Sequence, residues 1–258
     1  MLYSFLYFCI ENIVALRMLT LTKGVVLRCV KYNDTSSIVD IFTECLGRVS
    51  FIVRLSSRSN SRMKKQLFQP LTQLEIEFDH RPSKSLQYIR NVRLIVPYTS
   101  IPFEPTKYSF LFFLAEFLYY VTNSEQNNTA LYGYISNSLQ WLDTTNNVCA
   151  NFHLVFMMHI AKFIGFYPNL ENYSFGSYFD LRSGEFSKSI PLHADYLNPF
   201  ESSRIRLLMR MNYETMHIFS FNHIERNRIV ELILFYYRLH ISNMPSLTSF
   251  EILKDVFK

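Results

Sequence analysis

The hydrophobic period of the chain changes once. Between residues 20 and 96 apolar side chains recur at every second position. Beyond 97–105, a segment holding three prolines, they recur at helical spacing. Strand and helix bury different residue sets, so one period cannot serve the other element. The chain therefore has to build a β-domain first and a helical body second, an α+β architecture with more than one domain. The expected boundaries are 18–97 for the β-domain and 98–258 for the helical domain. With 49% hydrophobic and 18% charged residues, a chain of 258 can bury a core in each.

Five strand patterns fill the first part. Residues 23–32 are rich in β-branched and apolar side chains, and 36–43 follow a turn at Asn33-Asp34. Residues 47–54 follow a second turn, and 86–96 follow a third at 80–85. In 71–79, Leu74, Ile76 and Phe78 fall on one face and Gln73, Glu75 and Glu77 on the other. Between the third and fourth strands runs a long excursion, 55–69, polar at first and helix-compatible at 62–68. Five strands with such an excursion suit a small closed barrel of the OB-fold kind. Helices are expected at 106–121, 130–142, 151–166, 199–211, 214–221, 222–241 and 249–257. A hairpin interrupts them at 177–187, its turn at Arg182-Ser183-Gly184-Glu185.

Charge is concentrated locally. Residues 48–65 carry Arg48, Arg54, Arg58, Arg62, Lys64 and Lys65 and no acid. Residues 18–100 hold 13 Lys/Arg against 6 Asp/Glu, whereas 101–258 hold 12 against 14. A basic loop on a β-barrel points to polyanion binding at one end of the molecule. A solvated loop that keeps the chain in solution accounts for the same run.

Composition removes several functions. Six glycines leave little room for glycine-rich phosphate loops, and HExxH, GxSxG and P-loop patterns are absent. Cys9, Cys29, Cys45 and Cys149 form no CxxC pair, which argues against a disulfide framework and a cysteine zinc site and points to a reducing, cytosolic setting. His153 and His159 are six apart, as are His217 and His223, a spacing that does not match a metal-binding helix face. The apolar stretches in residues 1–17 are interrupted by Glu11 and Asn12. They fall short of the roughly 20 residues that span a bilayer and lack the flanks of a secretory signal. These residues read as an N-terminal extension, the alternative being a helix that docks on a membrane surface or a partner.

Several runs stand in a distinctive order along the chain. They are Lys23-Gly24-Val25-Val26-Leu27-Arg28, then Tyr32-Asn33-Asp34-Thr35-Ser36-Ser37-Ile38-Val39, Phe42-Thr43 and Leu46-Gly47-Arg48-Val49-Ser50-Phe51. Gln69-Pro70-Leu71, Phe113-Leu114-Ala115-Glu116-Phe117-Leu118 and Phe163-Ile164-Gly165-Phe166-Tyr167-Pro168 follow, then Phe179-Asp180 ahead of Ser183-Gly184, and Tyr236-Tyr237-Arg238. In order and spacing these runs resemble the bacterial recombination mediator family RecO, over about 18–258. The resemblance implies an N-terminal OB-fold and a helical body with a small module inserted at about 169–200. It also implies binding of single- and double-stranded DNA and annealing of complementary strands. The implied partners are RecR, in some settings RecF, and the acidic C-terminal tail of single-strand binding protein (SSB), during replacement of SSB by the recombinase RecA. It further implies a nucleoid-associated cytoplasmic protein with no catalytic residues, no cofactor and no membrane partner. Many members of the family carry a four-cysteine zinc site in the inserted module. Here 169–200 has no cysteine, and His193 is its one ligand-type residue of note, so no metal is expected.

Under this reading Arg54, Arg58, Arg62, Lys64 and Lys65 are the expected phosphate contacts, with Lys23, Arg28, Lys31 and Arg48 extending the track over the barrel. Arg48 directly follows a turn and serves equally as a structural strand-end residue. Phe51 alternates with Val49 and Val53, which favours the core over base stacking. Arg204, Arg206 and Arg210, with nearby aromatics, would receive an acidic, aromatic-ended tail; a solvated helix face accounts for them as well. Two rival functions remain. One is a protein-interaction adaptor whose basic loop is incidental. The other is a nuclease, which needs a carboxylate cluster that the sequence does not display.

Overall fold

The computed structural model describes residues 18–54, 64–146 and 150–256. They fall into two compact units. One joins the residues up to Pro97 with Ala115–Ser136; the other joins Tyr98–Leu114 with those from Asn137 onward.

The first unit is a closed five-stranded barrel built from β1 (Met18–Lys31), β2 (Ser37–Thr43), β3 (Gly47–Val53), β4 (Gln73–His80) and β5 (Leu86–Leu94). The strand order around it is β1-β2-β3-β5-β4. Strand β1 begins at Met18, ahead of the apolar run at 23–32, and its first half has its own partner. Met18 to Val25 pair antiparallel with β4, and Gly24 to Lys31 with β2. At Gly24, where both ladders meet, a Cβ would lie 2.6 Å from Ile41 Cγ2, so a side chain there would displace Ile41 from the core. The barrel closes through a short parallel pairing of β3 and β5, Ser50↔Leu86, Phe51↔Gln87 and Ile52↔Tyr88. This is the OB-fold with a closed ladder.

The interior follows the alternation in the sequence. Leu74, Ile76, Phe78 and Phe51 are fully buried, the last two rings meeting edge to face at 5.0 Å. Phe51 is thus a core residue. Phe68, on a 3₁₀ turn (Lys65–Phe68), joins the same cluster. Gln73 departs from the pattern, being 1% exposed. The Ser136 hydroxyl donates to its Oε1 at 2.7 Å, which satisfies an amide oxygen that burial would otherwise penalise.

Among the described residues there are six helices, α1 (Pro105–Val121), α2 (Thr129–Thr144), α3 (Phe152–Phe163), α4 (Pro199–Arg210), α5 (His223–His240) and α6 (Thr248–Val256); the residues of α1 and α2 are divided between the two units, and α3 to α6 belong to the second. Helix α3 is buried along most of its circumference, as a central helix must be. Trp141 stacks against Phe152 and Tyr213 at centroid distances of 6.1 and 4.9 Å. The hairpin is present as β6 (Tyr178–Asp180) and β7 (Glu185–Ser187), and β8 (Tyr196–Leu197) adds a third strand. The expected helix at 214–221 is only a 3₁₀ turn, Met216–Ile218. Asn212 Oδ1 draws the Thr215 amide into a local turn on one side. On the other, Asn222 and Glu225 form the capping box that starts α5.

The proline-containing segment after the barrel is not a loose tether. The Asp143 carboxylate accepts hydrogen bonds from the backbone N–H groups of Thr99, Ser100 and Ile101 and from the Thr99 hydroxyl. Burial raises its pKa, but these donors outweigh burial and leave the carboxyl below its ordinary value. Beside it Lys107, 2% exposed, pairs with Glu104 at 2.9 Å and donates to Ser100 Oγ and the Thr145 carbonyl, each at 2.8 Å.

His153 is buried with its ring stacked on Phe110 at 5.0 Å. Burial, with a smaller push from Arg226, lowers its pKa from 6.5 to about 3. The unfolded chain takes up this proton near pH 6.5 and the folded chain only near 3, so protons favour unfolding within that window. Stability is fully present above pH 6.5 and declines by about 1.4 kcal/mol per pH unit below it. In His153→Phe this component should vanish. Urea unfolding at pH 7 and 4.5 should show the wild type losing about 2–3 kcal/mol more than the variant. Equal losses would place the acid sensitivity elsewhere.

Candidate nucleic-acid interface

The acids and bases of the barrel are sorted by strand. On β4 and β5, Glu75 pairs with Arg93, and Asp79 with Arg90 at 2.8 Å. The Arg93 hydrogen bond holds the Glu75 carboxyl below its ordinary value. Strand register explains these pairs, since Glu75 lies directly opposite Arg93. In the β1–β2 turn Lys31 pairs with Asp34 at 2.9 Å, both exposed. Asp40 is buried and accepts from the Ser50 hydroxyl.

The cations at the far end of β3 differ. Arg54, Lys64 and Lys65 are exposed and, among the described residues, have no carboxylate partner. Lys65 opens the 3₁₀ turn whose Phe68 is anchored in the barrel core, so its charge is carried by a fixed element. Arg58 and Arg62 lie outside the described residues, as does the expected extension at 1–17. Lys23 is exposed on β1 opposite Glu75. The exposed Arg28 has its guanidinium carbon 5.0 Å from the centroid of the Tyr119 ring.

Arg48 is held inside the unit. Its guanidinium lies 4.6 Å from the Tyr119 ring centroid, donates to the Tyr119 carbonyl at 2.6 Å and also donates to Asn123 Oδ1. Next to it Gly47 has φ +67 and packs against the backbone of Glu125 and Gln126.

A cleft of about 440 Å³ opens where β3 and β5 diverge. It is lined by Asn33, Thr35, Ser36, Ile52, Val53, Arg54, Tyr88 and Ile89. The β1–β2 turn is fixed there by Asn33, whose Oδ1 accepts from the amides of Thr35 and Ser36 at 3.0 and 2.7 Å. Tyr88 was not among the residues singled out from the sequence. Alternation with the inward Gln87 turns it outward, but that signal alone does not show which loops it meets.

The three arginines of α4 go to different surroundings. Arg204 pairs with Glu225 at 2.9 Å and lies near the Phe200 and Phe221 rings, at 5.1 and 5.7 Å. Arg206 lies over the Tyr173 ring at 4.7 Å. Arg210 is exposed in the last turn.

The inserted module does not supply a zinc ligand set. It has no cysteine, and His193 Nε2 is hydrogen-bonded to Asp180 Oδ2 at 3.2 Å. Among the described residues no three His, Cys, Asp or Glu side chains converge. Asp180 also accepts from the Arg182 and Ser183 amides, Arg182 pairs with Asp195 at 2.6 Å, and Phe179 packs on Phe186 at 4.8 Å. Among the described residues no helix is long and apolar enough to cross a membrane.

Comparison with known proteins covers nearly the whole chain. Residues 18–98 match the family model described as recombination protein O N terminal, and 102–248 match recombination protein O C terminal. DNA repair protein RecO of Bacteroides fragilis is 46% identical over 241 residues, 93% of this chain and 100% of its own length. The protein of the same name from Phocaeicola vulgatus is 45% identical over 240 residues, with the same coverage. That of Azobacteroides pseudotrichonymphae is 37% identical over 240 residues. With an OB barrel, a helical unit carrying a small three-stranded insertion, and matches across nearly its whole length, the chain belongs to the RecO family.

Proposed function

We propose that the protein is a non-enzymatic, sequence-independent DNA-binding mediator. It anneals complementary single strands and helps to load RecA onto SSB-coated DNA, with RecR, and in some settings RecF, as partners. Family membership implies a role in DNA repair and recombination. The observation that carries the finer reading is electrostatic. On the OB barrel Arg54, Lys64 and Lys65 are exposed without a carboxylate partner among the described residues, as are Lys23, Arg28 and Lys84, and the first three belong to the acid-free run 48–65. Cations free of local pairing release counterions from a phosphate backbone, and contacts to phosphate alone read no sequence. Arg58 and Arg62 would extend this track, and Arg204, Arg206 and Arg210 would meet the acidic tail of SSB.

Gel-shift titration with an oligothymidylate over a salt series tests this reading, alongside the rate at which two complementary oligonucleotides pair. Affinity should fall steeply with salt, pairing should accelerate without nucleotide or metal, and the strands should stay intact. No DNA binding would select the adaptor reading, and cleavage in magnesium would select a nuclease.

A further inference from the structure

Tyr88 is an aromatic residue 61% exposed at the surface of a β-barrel. Among the described residues no hydrogen bond or ring contact engages its side chain. A single exposed ring is ordinary on a protein surface; what sets Tyr88 apart is the cleft it lines together with Arg54. Its surroundings narrow the class of partner. The cleft it lines is about 440 Å³, within the range of clefts that hold small flat ligands. Ile52, Val53 and Ile89 give it apolar lining, while the β1–β2 turn contributes the amide and hydroxyls of Asn33, Thr35 and Ser36. Arg54 lies in the same lining and begins the acid-free run toward Lys64 and Lys65. A planar apolar ligand joined to a chain of negative charges satisfies both features, and single-stranded nucleic acid has that chemistry.

We infer that Tyr88 is a base-stacking platform, with Arg54 beside it holding the adjoining phosphate. The assignment rests on the nucleic-acid reading above and adds to it a preference for unpaired strands. Duplex bases are already stacked on each other and present only phosphates to the cations. Single strands gain the ring as well. The phenol hydroxyl plays no part in stacking, so any aromatic ring should serve. Cation contacts set the salt dependence, whereas stacking adds affinity that salt does not remove.

The test compares Tyr88→Ala and Tyr88→Phe with wild type on an oligothymidylate and on a duplex of equal length. Losing one stacked base should weaken oligothymidylate binding about ten- to a hundredfold, leave the salt slope in place and spare the duplex. Tyr88→Phe should bind as wild type. A further variant, Tyr88→Trp, adds a second tryptophan to Trp141, which is stacked on Phe152 and Tyr213 in the helical unit. Its fluorescence should be quenched by the oligothymidylate, with wild-type Trp141 as the baseline. Wild type that binds while Tyr88→Ala binds equally well overturns the stacking assignment alone. So does an equal loss for single strand and duplex, which would mark Tyr88 as structural. Wild type that binds no oligonucleotide overturns the nucleic-acid reading and this assignment with it.

Discussion

Replacing Arg54, Arg58, Arg62 and Lys65 with alanine is expected to flatten the dependence of log K on log salt for single-stranded DNA by about 3, at about 0.7 per phosphate contact. At about 0.1 M salt this corresponds to an affinity lower by nearly three powers of ten. The effect is large because these side chains carry charge that nothing in their stretch offsets, residues 48–65 containing no acid. The fold should survive. Arg54 and Lys65 are exposed, and the core cluster is made by other side chains, Phe68 included. Gel-shift or anisotropy titrations at several salt concentrations, with circular dichroism to verify folding, measure both points. A folded variant with the wild-type slope would remove the basic segment from the binding site.

Gly47→Ala should be the most damaging single-methyl change in the barrel. Gly47 has φ +67, where an L side chain is already strained. Its new Cβ would also lie 2.1 Å from the Glu125 carbonyl oxygen and 2.6 Å from that of Gln126. Those are backbone atoms, so no rotamer change relieves the clash. Moving them would also disturb the nearby bonds from Arg48 to Tyr119 and Asn123. A cost of about 3–4 kcal/mol is expected, lowering the melting temperature by roughly 10 °C for a chain of this size. A shift of only a degree or two would show that residues 125–126 yield easily.

The barrel was legible in the sequence because its signal is local. Leu74, Ile76 and Phe78 alternate, and each buries the face that alternation assigns. What could not be read were environments made by distant residues. Gln73 looks like a surface residue until Ser136, 63 positions away, supplies its partner. Arg48 looks like a member of the basic run until Tyr119, 71 positions away, takes its guanidinium. The segment around Thr99 and Ser100 has the composition of a linker, and only Asp143 reveals that it is fixed. The zone 214–221 has helical spacing, but local turns at Asn212 and Asn222 take its ends. Of the residues lining the proposed cleft, the sequence reading named Arg54 and passed over Tyr88. Outward alternation is shared by many strand residues, and only barrel closure sets this one beside the Asn33 turn and Arg54.

That closure is uneven. Strand β1 is zipped to β4 by eight successive pairs, Met18↔His80 through Val25↔Gln73, while β3 and β5 share three, ending at Ile52↔Tyr88. Parallel pairing is the less stable kind per residue, so the barrel has a seam, and thermal breathing should begin there rather than at the β1–β4 side. The cleft lies at the end of that seam, with Ile52 and Tyr88 both in its lining. A ligand seated across it binds only the zipped barrel, so occupancy and closure become linked quantities. An occupied barrel would exchange its seam amides more slowly than an empty one, and a mutation that loosens the seam would weaken binding without touching a contact.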